Sequence, residues 1–277
     1  MRLGVIFDRD LPPEQLVPVA RALDDLDRVD DLWVVEDLGW TGGISSAATA
    51  LAVTSRLRVG LGIAPAPLRN PMLLAMELAN LARLHPGRLA AGIGHGVPAW
   101  MARAGAAAPS PLALLEETIT AVRALLRGET VTMAGRSVQL DGLSLVHPPE
   151  VVPPVLAGVL RPRSLALSGR VAQGTILPEG FGPDRVRQAL GQIAAAGDHE
   201  LVVFTYLHVG PGFPGHLAAE QAAFLDVAAE EVAMAVGTPE EAAAHVRALW
   251  SAGADTVLVR PVAADPLPHV TALLAAL

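Results

Sequence analysis

Cysteine is absent from the 277-residue chain, which removes disulfides, thiol nucleophiles, iron–sulfur ligation and cysteine-based zinc sites. Lysine is absent too, and all 20 basic side chains are arginine. Schiff-base chemistry and a G-x-x-x-x-G-K phosphate loop both need a lysine, so both are excluded. A G-x-S-x-G elbow is missing, which argues against a serine hydrolase. The histidines are scattered without an H-E-x-x-H or H-x-H pairing, so no metal site is expected. A surplus of positive charge is lacking as well. The net charge of −8 is the wrong sign for a nucleic-acid surface, which needs a positive footprint. No apolar run approaches the roughly 18 residues of a membrane span. The opening Met1-Arg2-Leu3-Gly4-Val5-Ile6-Phe7-Asp8 reaches charge too soon for a signal peptide. A soluble cytoplasmic protein with a small-molecule substrate is expected.

What is present is a large apolar fraction, 52% against 17% charged, enough for one extensive core. Short apolar runs alternate with longer Ala/Leu-rich stretches. Strands are expected at Leu3–Phe7, Asp31–Val35, Leu57–Ile63, Arg88–Ile93, Pro154–Val159, Gly174–Leu177, Leu201–Leu207 and Thr256–Arg260. Most are continuously apolar, as parallel strands covered on both faces are. Helices are expected at Pro13–Leu26, Ile44–Ser55, Pro71–Leu84, Leu112–Leu126, Ser164–Ala172, Pro183–Ala196 and Glu240–Ala252. Thr238-Pro239-Glu240-Glu241 supplies an N-cap, a proline at the first helical position and first-turn acids. Asp265-Pro266 opens a last helix in the same way. Strictly alternating strands and helices imply a parallel sheet. Eight such units in one domain spanning residues 1–277 predict an α/β fold of the (β/α)8 TIM-barrel class, with an open doubly wound sheet as the alternative. Insertions are expected after the fourth strand, where Glu129–Leu145 has hairpin alternation, and after the seventh, at Gly210–Val236.

Barrel active sites lie at the carboxyl ends of the strands. Those ends are Asp8, Glu36-Asp37, Ala64–Asn70, Gly94-His95-Gly96, Gly158–Ser164, Glu179, His208 and Arg260. Five segments in order then resemble one family. They are Asp31-Leu32-Trp33-Val34-Val35-Glu36-Asp37; Gly60-Leu61-Gly62-Ile63-Ala64-Pro65 through Asn70-Pro71; Pro86-Gly87-Arg88 through Gly94-His95-Gly96; Pro154-Val155-Leu156-Ala157-Gly158; and Gly237-Thr238-Pro239-Glu240-Glu241. Together they look like the luciferase-like monooxygenase superfamily, whose members use FMN or the deazaflavin coenzyme F-420.

The resemblance implies a bulge with a non-prolyl cis peptide at Gly62–Ile63, backing the cofactor ring. Ala64, Asn70 and Gly94 are further cofactor-binding candidates, with Asn70 either touching the cofactor or fixing the loop. It also implies a cofactor phosphate held where the helix after the fifth strand begins, at Gly158, Leu160, Arg161, Arg163 and Ser164. Two departures stand out. Arg161-Pro162 replaces the usual Gly-Pro, and Gln173 replaces the aspartate of Ala-Asp-Gly. Arg161 adds a charge-assisted contact, crowds a backbone approach that glycine permits, or is a surface arginine beside a helix cap.

His95, Glu36 and Asp37 are the catalytic candidates. His95 titrates near working pH, but a lone histidine is also a common structural residue. Glu36 or Asp37 serves as a general acid or caps the helix start at 42–46. Asp8, Trp40, Trp100 and Glu179 are candidates for the substrate pocket, with core packing the alternative for the tryptophans. Glu116-Glu117 is expected to be a solvated surface pair. Hydride transfer between F-420 and a small organic molecule is the leading reading. An FMN monooxygenase fed by a partner flavin reductase is the second, and a non-catalytic cofactor-binding homologue the third. The resemblance implies a homodimer.

Overall fold

The computed structural model describes residues 1–277. Eight parallel strands close into a barrel: β1 (Arg2–Phe7), β2 (Asp31–Val34), β3 (Arg58–Pro65), β4 (Leu89–Gly94), β7 (Val155–Gly158), β8 (Gly174–Leu177), β9 (Glu200–Val209) and β11 (Thr256–Pro261). Neighbours pair in the order β9-β11-β1-β2-β3-β4-β7-β8, and the β8–β9 pairing closes the ring. The fold is therefore the expected (β/α)8 barrel and not an open sheet. Between strands 4 and 7 lies an antiparallel hairpin, β5 (Val131–Ala134) and β6 (Gln139–Leu143). A short strand β10 (Ala235–Gly237) adds to β9 outside the closed ring.

The helices are α1 (Leu16–Asp24), α2 (Gly43–Val53), α3 (Pro71–Leu84), α4 (Pro98–Arg103), α5 (Pro111–Leu126), α6 (Pro162–Val171), α7 (Pro183–Ile193), α8 (Gly215–Leu225), α9 (Pro239–Ser251) and α10 (Leu267–Ala276). Proline at the first helical position recurs because its missing N–H is one the helix start leaves unused. The Thr238 hydroxyl accepts from Glu241 N–H while the Glu241 carboxylate accepts from Thr238 N–H, the reciprocal capping box its spacing predicts. No helix is long and apolar enough to cross a membrane.

Apolar side chains form two cores, inside and outside the barrel wall. The outer core of 62 buried residues lies between strands and helices. The lumen holds eight, including Ile6, Trp33, Phe204 and Leu258. Trp33 is fully buried and meets Phe204 edge-on at 5.8 Å between centroids. Gly60 makes this possible, because a Cβ there would lie 2.1 Å from the Trp33 ring. A Cβ at Gly62 would meet Phe204 at 2.6 Å. These glycines make room for two aromatic rings in a narrow barrel.

The amino-terminal end of the barrel is closed by charge. Arg58 reaches both oxygens of Asp31 (2.9 and 2.9 Å) and both of Glu200 (2.9 and 2.5 Å). Arg2 adds a 2.7 Å bond to Asp31, and the Thr256 hydroxyl donates to Glu200 at 2.8 Å. Burial opposes the Arg58 charge, but the two carboxylates outweigh it and raise its pKa. Gln173 also belongs to this end. Its side-chain oxygen accepts from Val155 N–H at 3.1 Å, fixing the start of β7. The departure from the family pattern at Gln173 therefore lies at the opposite end of the barrel from the strand tips.

Glu117 is not a free surface carboxylate. It accepts from the N–H groups of Arg136, Ser137 and Val138, each at 2.8 Å, and ties the hairpin tip to α5. Slight burial raises its pKa, and these three bonds more than reverse that. Helical spacing alone gave no sign that a turn some twenty residues on would fold back over it.

Candidate active site

The carboxyl ends of the strands form two halves of a mouth. In the first, β3 carries a cis peptide at Gly62–Ile63, and its register with β4 jumps between Leu61 and Ala64. The bulge aims Ile63 across the tips of β4 and β7. A Cβ on Gly158 would lie 2.4 Å from Ile63 Cγ2, and one on Gly94 would lie 3.0 Å from Ile63 Cδ1. Gly94 and Gly158 thus form a floor on which Ile63 rests, leaving a flat, partly exposed apolar surface. Ala64 is buried beneath it.

Asn70 caps α3, its side-chain oxygen accepting from Met72 N–H at 2.9 Å and from Leu73 N–H at 3.4 Å. Glu36 pairs with Arg69, receiving Nε at 2.9 Å and Nη2 on its other oxygen. It also accepts from Gly43 N–H at 2.8 Å, which fixes the start of α2. Both Glu36 oxygens are therefore engaged. Asp37 pairs with Arg9 at 2.5 Å. The Arg9 guanidinium lies 4.4 Å from the Trp40 ring and 5.9 Å from Trp100, while Trp40 Nε1 donates to Asp10 at 3.0 Å. This stack ties together the loops after β1, β2 and β4. Trp40 is 44% exposed, so it forms a rim and is not part of the core.

His95 turns toward the start of α6, where its Nε2 lies 3.0 Å from Ser164 Oγ. Its Nδ1 is buried without a partner in bonding geometry. Burial lowers its pKa, partly opposed by the Pro111 carbonyl, so the neutral ring is favoured. The structure joins His95 to Ser164 and not to Glu36 or Asp37. Arg161 is the N-cap of α6 with no side-chain capping bond, and Arg161 and Arg163 are both exposed. Leu160 lies just before them, half-buried against the core.

Arg185, in the first turn of α7, was not marked by any sequence signal. Its Nη1 is buried without an acceptor. Burial depresses its pKa, Glu231 pulls against that, and Arg161 adds a smaller push down. Arg161 and Arg185 lie beside two helix starts, with Glu231 also in electrostatic reach of Arg185 and the Arg185 guanidinium 4.5 Å from the Phe181 ring.

The second half of the mouth is built on Arg260, at the tip of β11. Its Nε donates to Asp8 at 2.6 Å and its Nη1 to Glu179 at 3.3 Å, while Nη2 has no protein acceptor. Asp8 and Glu179 are both buried. Burial opposes the Arg260 charge, but Glu179 and Asp8 raise its pKa strongly. The guanidinium lies 5.5 Å from the ring of Tyr206, the chain's only tyrosine. Burial and then Glu179 push the Tyr206 phenol up, so it stays protonated. Arg260 is legible as a strand end; Tyr206 shows no distinct signal within an apolar strand.

These features define a closed (β/α)8 barrel whose mouth is framed by the β3 bulge, the Gly94/Gly158 floor and the Arg260 cluster. Residues 8–211 match the family model described as luciferase-like monooxygenase. The chain belongs to that family. A 5,10-methylenetetrahydromethanopterin reductase from Methanolobus tindarius is 28% identical over 198 residues, covering 70% of this chain and 59% of the relative. An F-420-dependent glucose-6-phosphate dehydrogenase from Beutenbergia cavernae is 31% identical over 174 residues, covering 58% and 52%. The match thus spans about half the length of these curated relatives. Among solved structures, an F-420-dependent secondary alcohol dehydrogenase, in complex with an F-420–acetone adduct, superposes with a TM-score of 0.82. It does so at 16% identity, over 98% of each chain. Monooxygenase RslO1 from Streptomyces bottropensis superposes at 0.78 with 20% identity, over 100% of this chain and 97% of that one. These likenesses show the fold.

Proposed function

We propose that the protein is an oxidoreductase that moves hydride between coenzyme F-420 and a small organic substrate. The observation that carries this is the half-site of Ile63 on the Gly94/Gly158 floor beside the unpaired Arg161/Arg185 cations. It offers an apolar face for a ring and, next to it, the exposed Arg161 and the buried Arg185 Nη1, neither of which has an ion-pair partner. The relatives named as F-420-dependent enzymes support the deazaflavin over FMN.

Bound there, the cofactor supplies a two-electron hydride donor or acceptor. Ile63 backs its ring, and Arg161, Arg163 and Arg185 hold its phosphate with the α6 start. Neutral His95, paired with Ser164, fixes the cofactor from the β4–β7 side. Glu36 and Asp37 hold loops through Arg69, Gly43 and Arg9, so they shape the mouth and do not carry the proton. The Trp40/Trp100 rim narrows access of water. A homodimer belongs to this reading, supported by apolar side chains exposed along α3 at Leu73, Met76 and Leu84.

The test is titration with F-420 and, separately, with oxidised and reduced FMN, following fluorescence quenching. Micromolar or tighter F-420 binding is expected, weakened at least tenfold in G158A, whose added Cβ displaces Ile63. H95A should weaken binding while leaving the pH profile of kcat unmoved. Binding of reduced FMN alone would favour the monooxygenase with a partner flavin reductase, for which the monooxygenase neighbour speaks. Binding of neither would end the cofactor assignment. Tight F-420 binding without turnover of any substrate would favour a non-catalytic homologue.

A further inference from the structure

Charge is divided unevenly around the mouth. Arg161, Arg163 and Arg185, on the α6–α7 side, take part in none of the ion pairs of the structure, and Arg185 Nη1 is buried without an acceptor. Elsewhere around the mouth each cation has a carboxylate partner, although Arg9 Nε is also buried without an acceptor. Arg9 is paired with Asp37, Arg69 with Glu36, and Arg260 with both Asp8 and Glu179. His208, next to Arg260's half, has each ring nitrogen 3.1 Å from a backbone carbonyl oxygen, of Val262 and of Pro211. The Asp8–Arg260–Glu179 cluster therefore carries a net negative charge and still exposes one unused donor, Arg260 Nη2. The protonated Tyr206 hydroxyl is the other polar group of this half, only 3.5 Å from Gln221 and so weakly held.

We propose that the Arg260 half is a substrate end selective for neutral oxygen-bearing molecules, alcohols or ketones, and closed to phosphorylated or carboxylate substrates. Arg260 Nη2 is the donor that fixes the substrate oxygen, with Tyr206 beside it. This rests on the reading that the cofactor fills the Ile63 half. An anion placed at Nη2 meets the two carboxylates that already hold Arg260, in a part-buried site where water screens them poorly, and the other cation in reach, Arg9, is paired with Asp37. A hydroxyl or carbonyl oxygen accepts the same hydrogen bond without that repulsion. Asp8 and Glu179 thus keep Arg260 oriented and cancel its attraction for anions, which is selectivity by repulsion.

The decisive variant is E179Q, which keeps the Arg260–Asp8 pair and removes one repelling charge. R260M leaves two buried carboxylates without a counter-charge and risks the fold, so it enters only in combination with E179Q. The first arm is calorimetric titration of wild type, E179Q and E179Q/R260M with inorganic phosphate, without cofactor. Any binding at Arg161/Arg185 is common to all three. E179Q should gain one further phosphate site that the double variant loses. Wild type already showing that second site would overturn the proposal, as would E179Q gaining none. The second arm uses F-420-loaded protein with a panel of secondary alcohols and ketones against glucose 6-phosphate. Wild type should favour the neutral panel at least 100-fold in kcat/KM, and E179Q should narrow that ratio at least tenfold. Turnover of the phosphorylated sugar as fast as the neutral panel would overturn the proposal. If F-420 does not bind at all, the function reading falls alone, and the phosphate arm still decides the charge selection.

Discussion

Each end of the barrel holds one arginine between two carboxylates, and the two clamps differ in how completely they are satisfied. At the amino-terminal end, Arg58 binds both oxygens of Asp31 and both of Glu200, with Arg2 and Thr256 taking further lone pairs. At the carboxyl end, Arg260 makes one short bond to Asp8 and one longer bond to Glu179, leaving Nη2 without a protein acceptor. The same three residue types thus make a plug in one place and an open site in the other. A saturated buried ion cluster fixes the strands and has no valence left for a ligand. An unsaturated one keeps a donor free, as sites at barrel strand tips must.

The largest effect should come from breaking the plug. R58M leaves Glu200 without an arginine and Asp31 with Arg2 alone, and should cost roughly 3–5 kcal/mol in a denaturant melt. F-420 affinity of the folded fraction should hardly change. A loss below about 1 kcal/mol would mean that the floor is wetter than its geometry indicates.

Acid should weaken the wall before either end. His245, on α9 against β9, has its pKa pushed down to about 4 by burial, from 6.5. Its unfolded form therefore takes up a proton first. Stability is full above pH 6.5 and falls as pH drops toward 4, by about 3 kcal/mol in all. H245Q should flatten that slope in melts from pH 7 to 4; an unchanged slope would place the acid sensitivity in another group.

Neutral substitution of the outer carboxylate compares the clamps directly. E200Q gives up two arginine bonds and should cost roughly 1.5–3 kcal/mol, the range for hydrogen bonds to charged groups. E179Q weakens one 3.3 Å bond and should cost under about 1 kcal/mol. Equal losses would erase the distinction between plug and site. The smallest effect belongs to a residue outside both clamps. N70A removes the α3 cap and should cost about 1 kcal/mol, with F-420 affinity within twofold of wild type. A tenfold loss of affinity would show that Asn70 touches the cofactor.

The barrel itself was legible, since eight apolar runs separated by amphipathic helices leave few ways to bury both faces of a parallel sheet. Boundaries held best where chemistry marks them. Pro71–Leu84 matches α3 at both ends because Asn70-Pro71 starts it and an early stop follows. The helix predicted from Ser164 begins at Pro162, again at a proline. The cis bond at Gly62–Ile63 followed from the family resemblance, and Gly60 and Gly62 by themselves fit an ordinary tight strand equally well. The identities of side-chain partners were not legible. Glu36 and Asp37 stand together in sequence but answer to Arg69 and Arg9, which come from other strand tips. Nothing local marks Arg185, because an orphaned guanidinium nitrogen is a fact about neighbours hundreds of atoms away along the chain.

The sequence by itself determined the alternation of strand and helix over eight units and the set of residues at the strand tips. Periodicity, prolines and caps act over a few residues, so they are written locally. The tertiary structure alone decided which charges cancel. Asp8, Glu179 and Arg260 lie at strand tips far apart in the chain, and only barrel closure sets two carboxylates on one guanidinium while leaving Arg161 and Arg185 outside any ion pair. Electrostatic balance depends on distances between residues remote in sequence, and those distances exist only once the ring of strands is shut.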